Sequence, residues 1–373
     1  MDITPLLKAM VDKKASDLFI TAEMAPSMKV NGKIIPAVKM ILTPDQARAT
    51  VYGVMDEKQC AEFEEKHECN FAIHSKGVGR FRVSAFHQRN MAGMVLRRIE
   101  TTIPELDDLG LPEILKDLSM TKRGLIIFVG GTGAGKSSSL AAMIGHRNQN
   151  SFGHIISIED PIEFIHEHKN CIVTQREVGI DTDSYDIALK NTLRQAPDVI
   201  MIGEIRSQET MDYAMAFAET GHLCLATLHA NNANQALDRI MHFFPTNRQG
   251  QLWMDLSLNL KGIVAQQLVP TPDGKGRHPA VEVLINTPLV SDFIRKGDIH
   301  ELKALMARSN EHGMKTFDQA LFELYKNGEI TYDNALAHAD SANDLRLMIK
   351  LDGDSAGKPG DSSDGGELTI QED

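Results

Sequence analysis

The run Gly130-Gly131-Thr132-Gly133-Ala134-Gly135-Lys136-Ser137 fits G-x-x-x-x-G-K-[ST]. It follows the apolar run Leu125-Ile126-Ile127-Phe128-Val129 and precedes Ser138-Ser139-Leu140-Ala141-Ala142-Met143-Ile144, which reads as a helix. Strand, glycine-rich loop and helix form the setting in which backbone N–H groups turn inward around phosphate oxygens, and the positive helix end adds to that field. In this reading Gly131, Thr132, Gly133, Ala134, Gly135, Lys136, Ser137 and Ser138 bind the phosphates of a nucleotide. Lys136 reaches the β- and γ-phosphates and the Ser137 hydroxyl faces Mg²⁺.

The 373 residues suffice for two or three domains of about 150 each. Net charge is −12 and no basic run stands out, which argues against nucleic acid as the main partner. Cys60, Cys69, Cys171 and Cys224 form no C-x-x-C pair, so a structural zinc site is not expected and a reducing cytosol fits. Met1-Asp2-Ile3-Thr4 lacks the features of a secretory signal, and no apolar run approaches the roughly 18 residues of a membrane span. The expectation is a cytoplasmic protein.

Residues 1–100 read as an α+β module. A helix is expected over Pro5–Lys14, an extended stretch over Asp17–Ile20, and a hairpin over Met28–Ile35 turning at Asn31-Gly32. Thr43-Pro44-Asp45-Gln46 opens a helix with a capping-box pattern, and Asp56 caps another. In the strand Arg80–Phe86, Arg80, Arg82 and Ser84 share one face, and Phe81, Val83 and Ala85 the other. Met94–Ile99 is a second strand and carries Arg97 and Arg98. Such arginines ordinarily sit on a solvated sheet face. With a P-loop downstream, they also become candidates for neutralising transition-state charge. Residues 101–120, with Pro104 and Pro112, read as a linker ending in a helix over Pro112–Ser119.

From residue 121 apolar strands alternate with helices, which implies a mainly parallel sheet covered on both faces. The strands expected are Leu125–Val129, Ile155–Ile158, Val199–Ile202 and Leu223–Leu228. Polar residues follow their C-terminal ends: the P-loop, then Glu159-Asp160-Pro161-Ile162-Glu163, Gly203-Glu204, and His229. In open α/β sheets ligands bind outside those ends. Glu204 therefore resembles a Walker B carboxylate that holds Mg²⁺ directly or through water. One acid of Glu159, Asp160 and Glu163 would orient or deprotonate the attacking water, unless the cluster merely caps a helix. His222 and His229 bracket the fourth strand and point towards γ-phosphate sensing, although strand-end histidines are often structural. His166-Glu167-His168 has metal-like spacing in a polar, loop-like stretch where metal binding is not expected. Helices are expected over Ser207–Thr220, over Gln251–Gln267, and from about Val290 to Ile349. Gly353–Asp373 reads as a disordered acidic tail following a domain that ends near residue 351.

Ile158-Glu159-Asp160-Pro161-Ile162-Glu163-Phe164, Gly203-Glu204-Ile205-Arg206 and Thr220–His229 resemble the Asp box, Walker B and His box of the PilT/PilU branch of type IV pilus and type II secretion ATPases. Gly79-Arg80-Phe81-Arg82-Val83 and Gln175-Arg176-Glu177-Val178 match as well, and the likeness covers roughly residues 1–345. The resemblance implies a RecA-like P-loop ATPase domain preceded by a PAS-like α+β domain, assembled as a cytoplasmic homohexamer. It further implies ATP and Mg²⁺ as cofactors and a role in pilus retraction and twitching motility. A PilT-like ATPase and an inner-membrane platform protein would be the partners, leaving the chain peripheral to that membrane. Glu163 is implied as the general base, Glu204 as acting through Mg²⁺, His229 as the γ-phosphate sensor, and Arg82 and Arg97 as the arginine pair, with Arg80 a third candidate.

Three departures, an extra acidic tail among them, distinguish the chain from PilT and resemble PilU. Ser207 stands where the retraction motor has Asp, and Leu289-Val290-Ser291-Asp292-Phe293-Ile294-Arg295-Lys296 replaces a more conventional motif. The missing four-cysteine zinc module points away from the extension and secretion motors. The competing reading is an ATP-binding adaptor of a PilT-like ring with little activity of its own.

Overall fold

The computed structural model describes residues 2–30, 32–99 and 102–356. Two sheets, each with its own core, organise them. The first has six strands: β1 Asp17–Ile20, β2 Ser27–Val30, β3 Lys33–Pro36, β4 Glu68–Ser75, β5 Gly79–Gln88 and β6 Met91–Arg98. They pair antiparallel in the order β3-β2-β1-β6-β5-β4. Phe81, Val83 and Ala85 are buried while Arg80, Arg82 and Ser84 face away from that core, as period-two alternation requires. Helices Thr4–Asp12, Pro44–Tyr52 and Glu57–Lys66 supply Leu7, Met10, Val51 and Phe63 to the same core. Thr43 with Gln46, and Asp56 with Gln59, form capping boxes that satisfy helix N–H groups otherwise left unpaired. At the β2–β3 turn Gly32 takes φ 79°, and Asn31 lies outside the described residues.

The second sheet has seven strands: β7 Gly124–Val129, β8 Gly153–Glu159, β9 Cys171–Glu177, β10 Val199–Ile202, β11 Leu223–Leu228, β12 Leu260–Pro270 and β13 Arg277–Ile285. Their order is β13-β12-β7-β11-β10-β8-β9, and every pairing is parallel except β12–β13. Leu125 to Val129 are each fully buried, because β7 is central and helices cover both faces. Burying one such side chain contributes about 1.5–3 kcal/mol, so this strand is held firmly where it delivers the P-loop. Leu106, Leu115 and Leu118, from the stretch expected to be a linker, pack into the core of this second sheet. The helix there spans Ile114–Ser119.

Two expectations are corrected. The helix expected over Gln251–Gln267 stops at Asn259, and Leu260–Pro270 is β12. Strand pairing to β7 at Ile263↔Ile127 and Val264↔Phe128, with burial on both faces, overrides the local helical spacing. Helix Ala342–Ala356 also runs past residue 351, into the first residues of the expected tail. The remainder of that tail, 357–373, lies outside the described residues.

Candidate active site

The C-terminal ends of β7, β8, β10 and β11 converge on one cavity of about 240 Å³. From β7 the chain turns through Gly130, Gly133 and Gly135 at φ 151°, 78° and 90°, a region that disfavours other residues. Helix Lys136–Asn150 then starts from Gly135 with no side-chain cap. Its first N–H groups are therefore free to serve an anion. Lys136 Nζ donates to the carbonyls of Gly130 and Gly131 at 2.7 and 2.9 Å. Burial lowers the Lys136 pKa, while Glu204 and Glu163 act against that shift, so both carboxylates lie within the lysine's field.

Glu204 follows β10 and is held from two sides. Arg206 Nε donates to its Oε2 at 2.7 Å, and His229 Nε2 lies 3.3 Å from its Oε1. The other ring nitrogen of His229 is 3.3 Å from the Gly130 carbonyl, so this histidine bridges Glu204 and the P-loop. His222 is elsewhere. It precedes β11, at the strand end away from the cavity, with Nδ1 3.0 Å from Thr220 Oγ1 and 3.3 Å from the Phe217 carbonyl. The two histidines bracket β11 as expected, but of the pair pointed towards γ-phosphate sensing only His229 lines the cavity.

The three acids after β8 have separate surroundings. Glu159 is buried and accepts from Ser157 Oγ at 2.6 Å and Gln175 Nε2 at 3.1 Å, and desolvation raises its pKa. Asp160 pairs with Arg206 at 3.6 Å. Glu163 is exposed and lines both the P-loop cavity and an adjoining one of about 580 Å³. Arg82 and Arg97 line that second cavity with Ser138. The two arginines are direct cross-strand partners on β5 and β6, and Arg97 Nε donates to Asp17 Oδ1 at 2.9 Å.

Sequence reasoning gave no individual role to Glu177, Tyr185 or Gln266. Glu177 Oε2 accepts the Ile162 N–H at 3.3 Å and so tethers the loop carrying Glu163. Burial raises its pKa, against the charges of Arg82 and Arg80. Tyr185 lines the cavity, and desolvation followed by the Asp160 charge raises its pKa. The signal in the sequence for Glu177 was its place in the matching run Gln175-Arg176-Glu177-Val178, which gave it no role of its own.

His166 is buried, which lowers its pKa to about 4, and His168 Nδ1 accepts the Val173 N–H at 3.1 Å. Among the described residues no three His, Cys, Asp or Glu side chains cluster as metal ligands. No helix among them is long and apolar enough to cross a membrane.

Residues 1–321 match the family described as Type II/IV secretion system protein. The chain is 73% identical over 355 residues to the type IV pilus ATPase PilU of Pseudomonas aeruginosa, covering 95% of this chain and 93% of that protein. It is 39% identical to PilT of the same organism, covering 90% and 97%. The crystal structure of the pilus retraction motor PilT with bound ADP superposes with a TM-score of 0.88 at 40% identity, covering 93% of this chain and 100% of that one. A RecA-like P-loop ATPase fold, a cavity where the P-loop meets the acids that follow two strands, and relatives along nearly the whole length converge: the chain is an ATPase that belongs to the type II/IV secretion system family, in its type IV pilus branch.

Proposed function

We propose that the chain is the subunit of a homohexameric motor that hydrolyses ATP to power or assist type IV pilus retraction, and hence twitching motility. The observation that carries this reading is the meeting of Lys136, Ser137, Glu163, Glu204 and His229 around one cavity, with Arg82 and Arg97 on its neighbour. Lys136 and the N–H groups of residues 131–138 bind the phosphates of ATP. Glu163 orients the attacking water and takes its proton, since it is the Asp-box acid whose carboxylate is left to the cavity. His229 links the γ-phosphate region to Glu204. Arg82 and Arg97 stabilise the charge on the transferring phosphoryl group.

One hydroxyl, Ser137, and one carboxylate, Glu204, fit Mg²⁺, which keeps several waters and takes few protein ligands beside substrate phosphates. When bound there, Mg²⁺ neutralises β- and γ-phosphate charge. The six-stranded antiparallel sheet packed with helices supports a PAS-like reading of the N-terminal unit. The family likeness supports a cytoplasmic ring at the inner membrane, partnered by a PilT-like ATPase and a platform protein, and the net charge of −12 argues against nucleic acid as a partner.

The second reading is an accessory adaptor, favoured by the altered surface at helix Pro288–Lys296, where Leu289 is 48% exposed. Retraction in cells carrying Glu163→Gln or Lys136→Ala separates the two. Loss of retraction supports the motor, and normal retraction supports the adaptor.

A further inference from the structure

Gln266 lies on β12, outside every motif of the chain, and is 3% exposed. Its side-chain Oε1 accepts from Ser139 Oγ, four residues past Gly135, at 2.7 Å in a fully buried bond. The same residue touches both ends of the P-loop. Its backbone carbonyl stands 2.4 Å from where a Cβ on Gly130 would lie, and its Nε2 stands 2.6 Å from the corresponding point on Gly135. The two glycines that begin and end the phosphate-binding turn thus rest on this one residue. Leu268, two residues on, reaches the Gly135 position as well, at 3.6 Å.

The strand is braced from its other side. Gln267 Nε2 donates to the His338 carbonyl at 2.9 Å, and Asn334 Nδ2 donates to the Pro270 carbonyl at 3.1 Å. Both tie β12 to helix Tyr332–His338. A P-loop bends at its glycines, so its amide cradle holds a shape only if something fixes those bends. Main chain and side chain of one buried residue do so here.

We propose that Gln266 is a positioning residue for the phosphate-binding loop, acting through Ser139 and the two glycine turns to hold the amides and Lys136 in the geometry that binds nucleotide phosphate. It touches no substrate itself.

The test uses the full chain with three changes: Gln266→Met, which keeps bulk and removes the amide; Ser139→Ala, which removes only the hydroxyl; and both together. ADP affinity by calorimetry and the thermal midpoint are measured for each. The proposal expects each single change to weaken ADP about 10-fold, the effect of one buried hydrogen bond. It expects the double change to match the singles within twofold, with the thermal midpoint moved by only a few degrees. ADP affinity within twofold of wild type for Gln266→Met, or losses that multiply in the double variant, would overturn it. If Gln266→Met does not fold, Ser139→Ala decides alone, and unaltered ADP binding there overturns the proposal equally.

Discussion

Glu282 on β13 is 3% exposed and caps two helices at once. Its Oε1 accepts the N–H of Ala233 at 2.8 Å, and its Oε2 accepts that of Phe317 at 3.4 Å. The first helix begins four residues after His229, so the cap also bears on the site. Desolvation pushes the Glu282 pKa up to about 7, opposed by the two N–H bonds and Lys303 and helped by Asp340. An acid raised above its unfolded value of 4.5 binds more protons folded than unfolded between those two pH values. Its contribution to stability is therefore greatest below pH 4.5 and declines as pH rises through 7. At about 1.36 kcal/mol per unit, the decline is about 3 kcal/mol.

His166 acts in the opposite sense. Its pKa falls from 6.5 to about 4, so its burial costs stability as pH drops through that range. Burial also raises the pKa of Glu159 and of Glu177, in the sense of Glu282, so only a difference between variants isolates Glu282. Urea unfolding of wild type and Glu282→Gln from pH 4.5 to 8, followed by fluorescence of Trp253, gives that difference. Trp253 is the chain's sole tryptophan and packs on the same core. The glutamine turns an amide towards one N–H, which adds a constant offset of about 1–3 kcal/mol. On top of it, the variant should gain about 3 kcal/mol relative to wild type as pH rises through 7. A difference that is flat with pH, or that runs the other way, refutes the reasoning.

Three further outcomes are expected. Gly130→Ala brings a Cβ within 2.4 Å of the Gln266 carbonyl at φ 151°, and should weaken ADP binding at least 10-fold by calorimetry. Arg82→Ala and Arg97→Ala should each lower kcat by on the order of 10²–10³. Only Arg97→Ala should also reduce stability, by about 1–2 kcal/mol in urea, because it leaves the buried Asp17 carboxylate with the Ser16 hydroxyl and no cation. His229→Ala should lower turnover at least 10-fold while His222→Ala leaves it within twofold, since only His229 meets Glu204 and the P-loop.

What was legible in the sequence was local. β10 and β11 are fully buried apolar runs, and their expected limits match the observed ones. The arginine face of β5 followed from alternation alone. β9 escaped notice because Gln175, Arg176 and Glu177 make its end polar, and those groups are spent on the Asp-box loop and its neighbours. β12 was hidden by Leu252, Leu256 and Leu260, whose spacing of four continues a helical stripe to the junction. What ends the helix is pairing with β7, more than a hundred residues earlier, and the local signal is only Gly262 with the β-branched Ile263 and Val264 after it. The same limit applies to Arg82 and Arg97. Their shared face could be read, but their nearness to Glu163 depends on how the two units meet.

The most direct test of the central claim is steady-state ATP hydrolysis by the purified chain, wild type beside Glu163→Gln, alone and with a PilT-like partner. The account predicts turnover by the wild type alone, a fall of at least 100-fold in Glu163→Gln, and ADP affinity within threefold of wild type. Equal turnover by the two proteins, or turnover only when the partner is present, would contradict it.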